Sequence, residues 1–106
     1  MVAELKADEF KVEVLESSSP VLVDFYATYC EPCKRLLPIV EELSKEYEGK
    51  VKIVKFNVEN SPEIAGQYGI MGVPALLFFK GGEVVDRLIG FQSKPALKEA
   101  LDRLLN

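Results

Sequence analysis

The sequence predicts an α/β fold in which helices cover both faces of a mixed sheet. Segments with strand and helix patterns alternate through the first part of the chain, which indicates parallel strands there. The last two predicted strands flank a glycine pair, which is typical of an antiparallel hairpin. The 106 residues, 48% of them hydrophobic, are enough for one core and too few for two. We therefore expect a single domain over residues 1–106.

The chain begins with two short predicted elements. Val2–Leu5 is a weak strand candidate, and Asp8–Glu16 has the spacing of a short amphipathic helix. The serines and the proline of Ser17–Pro20 are expected to end that helix. The residues predicted on its apolar face are Phe10, Val12, Val14 and Leu15.

A buried strand and a long helix are predicted next. Val21–Ala27 is apolar on both faces apart from Asp24, which is typical of a central strand covered on both sides. Pro32–Tyr47 follows with helical periodicity, and Gly49 is expected to stop the helix. The predicted inward face of this helix contains Cys33, Leu36, Leu37, Val40, Leu43 and Tyr47.

The second half of the chain adds three strands and two helices. Alternation of apolar and polar residues over Val51–Val58 predicts a strand with one buried face, and Pro62–Tyr68 is typical of a short helix. Ala75–Phe79 and Glu83–Ile89 flank Lys-Gly-Gly and are expected to pair as a hairpin. Lys94–Leu105 closes the chain as an amphipathic helix. Its predicted buried residues are Leu97, Leu101, Leu104 and Leu105.

The charge pattern argues against two classes of partner. Thirteen basic and 17 acidic residues give a net charge of -4, and neither sign forms a run of five or more. Nucleic acid and anionic membranes are therefore not expected as partners. No apolar stretch approaches the roughly 20 residues of a membrane helix, and Met1–Phe10 mixes charges where a signal peptide is apolar. We expect a soluble, cytoplasmic protein.

The only two cysteines bracket Glu-Pro at the start of the long helix. If the helix begins around Glu31 or Pro32, Cys30 lies at its N-cap or first position and Cys33 lies one turn later, so the sulfurs can reach each other. The unpaired N–H groups of the first turn can stabilise a Cys30 thiolate and lower its pKa. Cys33 shares a face with Leu36 and should be partly buried while Cys30 is exposed. This arrangement predicts one attacking and one resolving sulfur.

Other interpretations of these residues remain open on the residues alone. The cysteines could be a buried apolar residue and a passive neighbour. A zinc site would need ligands from a second chain, because there is no histidine and no third cysteine; no cofactor is expected. Asp24 could edge a solvated strand face, although its apolar neighbours favour burial. Lys55 fits an ordinary surface lysine equally well, and Pro74 could be an ordinary trans proline.

Three features together resemble the thioredoxin family across nearly the whole chain. They are VLVDFYATYCEPCK at residues 21–34, GIMGVPALLFF at residues 69–79, and Gly90 near the end. CxxC alone is a weak signal. CxPC between a strand and a helix, with an acid in that strand and Val-Pro before a later strand, is specific. The resemblance implies a single thioredoxin-like domain with a central mixed β-sheet of about five strands flanked by about four helices.

The resemblance also implies roles for individual residues. Cys30 corresponds to the attacking cysteine and Cys33 to the resolving one. Asp24 corresponds to the buried acid that relays protons to Cys33, and Lys55 to the lysine beside that acid. Pro74 corresponds to a cis proline facing the disulfide, Pro38 to a proline that kinks the helix, and Gly90 to a glycine bordering the substrate groove. The implied substrate surface comprises Tyr29, Glu31, Pro32, Val73, Pro74 and Gly90.

Three positions, in two places, depart from the family pattern. Tyr29-Cys30-Glu31-Pro32-Cys33 stands where Trp-Cys-Gly-Pro-Cys is usual, and Tyr26 stands where a tryptophan is usual. Both tyrosines are still expected to pack beside the site. Glu31 adds a charge at its mouth, which bears on the redox potential and on the choice of reductase.

The sequence favours one function and leaves two alternatives. The favoured function is reduction of protein disulfides by a monomer that cycles between a Cys30–Cys33 disulfide and a dithiol, with a thioredoxin reductase-type electron donor regenerating the dithiol. The alternatives are a binding module without turnover, and an oxidase or isomerase of the same fold. The first is favoured because cysteine pairs in a reducing compartment are usually catalytic rather than structural.

Overall fold

The computed structural model describes residues 2–106 and contains a five-stranded mixed sheet. β3 pairs in parallel with β1 and β2, while β4 pairs antiparallel with β2 and β5. The predicted mixed sheet and hairpin are therefore confirmed. In spatial order the strands are β1 (Ala3–Glu4), β3 (Lys52–Asn57), β2 (Val21–Tyr26), β4 (Ala75–Lys80) and β5 (Glu83–Ile89).

Three α-helices, together with a helical segment near the start of the chain, flank the sheet, which agrees with the predicted number of about four. The α-helices are α1 (Glu31–Glu46), α2 (Pro62–Gln67) and α3 (Lys94–Leu105), and short 3-10 turns cover Ala7–Glu9 and Val58–Asn60. No helix within residues 2–106 has the length and the apolar character needed to cross a membrane.

The three α-helices begin in the same way. Each has a proline in its first turn, and each is preceded by an N-cap residue whose side chain accepts a hydrogen bond from a backbone N–H of that turn. Proline suits this position because a backbone N–H in the first turn has no partner within the helix, and proline has no N–H. The cap residue accepts a hydrogen bond from one of the remaining unpaired N–H groups. In α2 and α3 the cap is a serine, Ser61 or Ser93. In α1 the cap is the sulfur of Cys30, so the ordinary start of a helix places a cysteine among backbone donors.

Two apolar clusters fill the spaces on either side of the sheet. One includes Leu36 and Val40 of α1 with Leu97 and Leu101 of α3. The other joins Phe10 and Val14 to residues on the opposite face of the sheet. Asp24 lies on β2 between Leu22 and Tyr26, and Leu22 belongs to the cluster with α1 and α3. Because alternate residues of a strand share a face, Asp24 points towards the α1 side.

The predicted helix over Asp8–Glu16 is wrong in type. The chain there forms a 3-10 turn and then a π-helical turn over Lys11–Leu15. Phe10 and Val14 are buried as predicted, but Val12 is 58% exposed. A residue midway between two positions on the buried face of a helical turn points to the other side, which explains the exposure of Val12.

Two further details of the predicted core are wrong. β3 is buried on both faces, because Ile53 joins the cluster with α1 and α3 while Val54 and Phe56 join the other cluster. The reason is its position inside the sheet, between β1 and β2. Leu105 is 38% exposed, since it is the last residue of α3 and its neighbour Leu104 already fills the inward position.

The glycine pair in the turn between β4 and β5 offers a test of the packing between this turn and the π-helical turn. Gly82 has a φ of +83°, and a Cβ there would lie 2.7 Å from the carbonyl oxygen of Leu15. Gly81 has a φ of +62° with open space around it. Both alanine variants strain the backbone by about 1–2 kcal/mol. We expect Gly82→Ala to lose more free energy of unfolding than Gly81→Ala, because a backbone atom must also move. Equal losses in urea unfolding would contradict this contact.

Candidate active site

The two cysteines form a disulfide at the start of α1, with their Cα atoms 5.2 Å apart. The backbone N–H of Cys33 donates a hydrogen bond of 3.2 Å to Sγ of Cys30. The carbonyl oxygen of Val73 lies 3.8 Å from the same sulfur. The sulfurs therefore reach each other as predicted, and Cys30 is the one that the helix N-terminus contacts.

The predicted exposure of Cys30 is wrong in degree. Its exposed fraction is only 9%, compared with 5% for Cys33. Cys30 is more covered than expected because its sulfur lies against Cys33 and against the backbone of Val73. The difference in exposure between the two cysteine residues is small, whereas within residues 2–106 only the Cys30 sulfur accepts a hydrogen bond from the first turn of α1.

A cis peptide bond joins Val73 to Pro74 beside the disulfide, which confirms the isomer that the resemblance implies. Pro74 is buried, and its carbonyl oxygen accepts a hydrogen bond of 2.7 Å from the N–H of Gly90. Gly90 has a φ of +88°, a conformation that favours glycine. These contacts tie the end of β5 to the segment that covers Cys30, so Val73, Pro74 and Gly90 come together as predicted.

Asp24 is the buried acid that the sequence predicted. Its side chain is 2% exposed, and its Oδ1 has no hydrogen-bond partner within residues 2–106. Burial raises the pKa of Asp24 from 3.8 to about 7, against the opposing effect of the Lys55 charge. Lys55 is the register partner of Asp24 on β3. This carboxyl therefore gains or loses its proton near neutral pH.

A small cavity lies between this acid and Cys33. Its volume is about 90 Å³, which is enough for ordered water. Asp24, Cys33 and Lys55 all line it. Lys55 is half-buried there, and its part in the reaction stays a prediction. The complete lining is Asp24, Tyr26, Ala27, Thr28, Cys33, Lys34, Leu37 and Lys55.

A larger groove of about 370 Å³ lies between β5 and α3 and contains none of the predicted site residues. The cations that line it are already occupied. Arg103 pairs with Asp86 and Glu99, and Lys80 donates to the carbonyl of Leu104. The smaller cavity, by contrast, is lined by Asp24, Cys33 and Lys55.

The residues around the mouth of the site differ in exposure. Tyr26 is half-buried and lines the cavity, as predicted. Tyr29 is 93% exposed, so the expectation that it packs beside the site is wrong; it lies in the loop before the helix and projects into solvent. Glu31 is also exposed, and its carboxylate pairs with Lys34 at 3.6 Å. Pro38 lies inside α1, and the kink attributed to it stays a prediction.

The sequence did not predict the hydrogen bonds that hold the loop before Cys30. The Thr28 hydroxyl donates to Glu59 Oε1 at 2.7 Å, and Asn57 Nδ2 donates to Thr28 Oγ1 at 3.1 Å. The Glu59 N–H in turn donates to Asn57 Oδ1 at 2.9 Å. One signal could have indicated this network. Thr28 and Asn57 lie at the carboxyl ends of neighbouring parallel strands, which meet at one edge of a sheet.

Comparison with known proteins agrees with this geometry. The family model described as Thioredoxin matches residues 1–103. The chain is 46% identical over 103 residues to Thioredoxin 1 of Nostoc sp., covering 97% of this chain and 96% of that protein. It is 49% identical over 96 residues to Thioredoxin of Synechocystis sp., covering 91% and 90%. It is 50% identical over 94 residues to Thioredoxin of Rickettsia felis, covering 89% and 90%.

These similarities extend through the sheet, the helices and the CxxC segment alike. The five-stranded mixed sheet with its flanking helices is the thioredoxin fold that the resemblance implied. A cysteine pair at disulfide distance, held at the start of a helix, gives that fold its reversible redox group. The chain thus belongs to the thioredoxin family and is a thiol–disulfide oxidoreductase that reduces protein disulfides.

Proposed function

We propose that Cys30 attacks the substrate disulfide and that Cys33 resolves the adduct. The observation that carries this assignment is the hydrogen bond from the Cys33 N–H to Sγ of Cys30, because a donor at that sulfur stabilises its thiolate. In the reduced protein, the Cys30 thiolate attacks one substrate sulfur and releases the other as a thiolate. The Cys33 thiolate then attacks the Cys30 sulfur, releases the second substrate sulfur as a thiolate and leaves the Cys30–Cys33 disulfide. Two electrons pass to the substrate.

Asp24 is proposed to accept the proton of Cys33, and Lys55 is proposed to adjust the pKa of Asp24. Cys33 must lose a proton before it can attack Cys30, and the carboxylate of Asp24 can accept that proton through a water molecule in the shared cavity. A pKa of about 7 for Asp24 suits this exchange near neutral pH. Lys55 is proposed to limit how far burial raises that pKa, since its charge acts in the opposite direction.

The substrate is proposed to bind across Tyr29, Pro32, Val73, Pro74 and Gly90. Tyr29, the residue before Cys30 in sequence, offers an aromatic ring that is exposed to solvent. Val73 and Gly90 flank the buried Pro74, whose segment covers the Cys30 sulfur. A substrate chain lying beside this segment would bring its own disulfide to Cys30.

Substrates, electron donor and compartment follow from the same chemistry. We propose that disulfide-containing proteins are the substrates and that a thioredoxin reductase-type enzyme is the electron donor. The protein is proposed to act in the cytoplasm, where a reducing environment returns such pairs to the dithiol. It is proposed to act as a monomer of one domain, because a single chain supplies the cysteine pair, the acid and the segment that covers them.

Two measurements test the reductase function against its alternatives. The reduced protein should reduce insulin disulfides catalytically when a dithiol regenerates it, whereas a binding module would show no turnover. The reduction potential of the Cys30–Cys33 pair, measured against glutathione, should be strongly reducing. A potential in the range of oxidases and isomerases would instead show that the pair forms or reshuffles disulfides.

Glu31 is expected to make the Cys30 thiolate slightly less stable. Its carboxylate repels a second negative charge one residue away, and Glu31→Gly should lower the pKa of Cys30 and make the disulfide more oxidising. The exposure of Glu31 and its pairing with Lys34 limit the shift to less than about one pKa unit, and salt should reduce it. Thiolate absorbance titrations at low and high ionic strength measure it.

The matched control for this variant is Glu31→Gln, which removes the charge and keeps a side chain. Glycine also loosens the first turn of a helix, so only an effect shared by both variants belongs to the charge. If the pKa of Cys30 stays constant or rises in both, Glu31 does not act on the sulfur, and partner selection becomes its role.

A further inference from the structure

Three ionisable side chains form a row across the parallel part of the sheet. Glu4 of β1 and Asp24 of β2 are both register partners of Lys55, which lies on β3 between them. Residues directly opposite each other on paired strands project from the same face of the sheet. Lys55 therefore has a carboxyl on each side. Asp24 is buried, Lys55 is half-buried and Glu4 is exposed.

Tyr26 connects this row to the mouth of the Asp24 cavity. It lies two residues after Asp24 on β2, so it shares the same face, and its hydroxyl donates a hydrogen bond to Oε1 of Glu4. The Nζ of Lys55 lies 5.7 Å from the centre of the Tyr26 ring. Burial and the neighbouring Glu4 raise the pKa of Tyr26, so the hydroxyl keeps the proton that it donates.

Lys55 lies between two carboxyls, Glu4 and Asp24, and within residues 2–106 it forms an ion pair with neither of them. The Glu4 carboxylate is instead occupied by the Tyr26 hydroxyl. Lys55 and Asp24 both line the cavity, whereas Glu4 does not.

We propose that Tyr26 is a positioning residue whose hydroxyl holds the Glu4 carboxylate away from Lys55, so that Lys55 remains the counter-charge of Asp24. One ammonium group cannot fully neutralise two separate carboxylates. A Glu4–Lys55 ion pair would draw the positive charge towards solvent and away from the acid. The inference rests on the proposed role of Asp24 and adds a residue that sets when this acid releases its proton.

The other groups around Asp24 do not compete with it for the charge of Lys55. From α1, Cys33 and Lys34 line the cavity, and Lys34 is paired with Glu31. From β4, the register partner of Asp24 is the apolar Leu76. Within residues 2–106 none of these residues is a hydrogen-bond partner of the Tyr26 hydroxyl. Asn57 of β3, the register partner of Tyr26, also acts on that hydroxyl, but it carries no charge that could compete for Lys55.

The test is a pH titration of the Asp24 carboxyl carbon by NMR in the oxidised protein. Tyr26→Phe keeps the ring under Lys55 but frees Glu4, and we expect the pKa of Asp24 to rise by roughly half a unit to one unit. Glu4→Gln keeps an acceptor for the hydroxyl and removes the competing charge, so it should not raise that pKa. In the double variant the rise caused by Tyr26→Phe should disappear.

Two outcomes would overturn the proposal. An unchanged pKa in Tyr26→Phe would show that Glu4 does not compete for Lys55. An equal rise with and without Glu4→Gln would show that the hydroxyl acts on the cavity directly.

The titration of the Asp24 carboxyl does not depend on turnover. If the carboxyl shifts as expected while the pH profile of disulfide exchange does not follow it, the proton-relay role of Asp24 fails and the positioning role of Tyr26 stands.

Discussion

Cys33→Ser is expected to accumulate a mixed disulfide between Cys30 and its substrate and to lose turnover by at least about a thousand-fold. The first step of the reaction needs only Cys30, so the adduct still forms. Its resolution depends on a neighbouring sulfur, and well-placed intramolecular groups act at effective concentrations far above those of free thiols. Non-reducing electrophoresis and mass spectrometry of the reduced variant, mixed with a disulfide-containing protein, measure the trapped adduct.

The matched control is Cys30→Ser, which should lose turnover equally without trapping substrate. Trapping by both serine variants, or by Cys30→Ser alone, would contradict the assignment.

Brief alkylation of the reduced wild-type protein at neutral pH should label Cys30 almost exclusively. Because the two cysteine residues are only 9% and 5% exposed, we expect this selectivity to come from the hydrogen bond to the Cys30 sulfur. Equal labelling would show that the bond does not activate it.

The parts of the fold that the sequence predicts well have strong and uninterrupted patterns. α3 has the predicted bounds, and β2 and α1 differ from theirs by about one residue. Each of these three segments has a consistent pattern of apolar residues along its whole length. Each also begins or ends at a residue that alters the backbone conformation. The segment over residues 7–15 lacks this consistency. Whether such a short segment forms 3-10, α or π turns depends on how Phe10 and Val14 fit against the sheet, and the pattern contains no information on that fit.

The candidate site divides in the same way. The cysteine pair, its place at the helix start and the buried Asp24 follow from neighbours in sequence. Two of the site's contacts join residues that are far apart in the sequence. Tyr26 and Glu4 are separated by 22 positions, and Thr28 and Glu59 are separated by 31. Those contacts depend on which strands are neighbours and in which register, and no local pattern specifies either. The coverage of Cys30 by Val73 depends equally on distant backbone.

Asp24→Asn is expected to stabilise the protein near and above neutral pH. Burial raises the pKa of Asp24 from 3.8 to about 7, so the folded state binds the proton more tightly than the unfolded state. Stability then falls as the pH rises from about 4 to about 7, and the full penalty is present above that range. At about 1.4 kcal/mol per pKa unit, the penalty is on the order of 4 kcal/mol. Asparagine has no charge to desolvate and avoids it.

The gain from Asp24→Asn should therefore depend on pH in a defined direction. Urea unfolding of both proteins should show the largest difference near pH 8, a smaller one near pH 5, and almost none below pH 4. Asp8→Asn is the matched control, because Asp8 is exposed and should leave the pH dependence unchanged. A gain from Asp24→Asn that is equal at all these pH values would show that the carboxyl is not titrating in a buried site.

The same substitution should slow disulfide exchange while it stabilises the fold. Asparagine can neither accept nor return the proton of Cys33, and loss of a positioned acid–base group typically costs about a hundred-fold or more. Single-turnover reduction of a protein disulfide, followed from pH 5 to pH 9, measures this loss. The deficit should be largest where Asp24 is ionised and Cys33 is still protonated, and it should shrink at high pH, where Cys33 ionises without help. A variant that is more stable yet exchanges at the wild-type rate throughout would show that Asp24 is buried beside the cysteine pair without serving it.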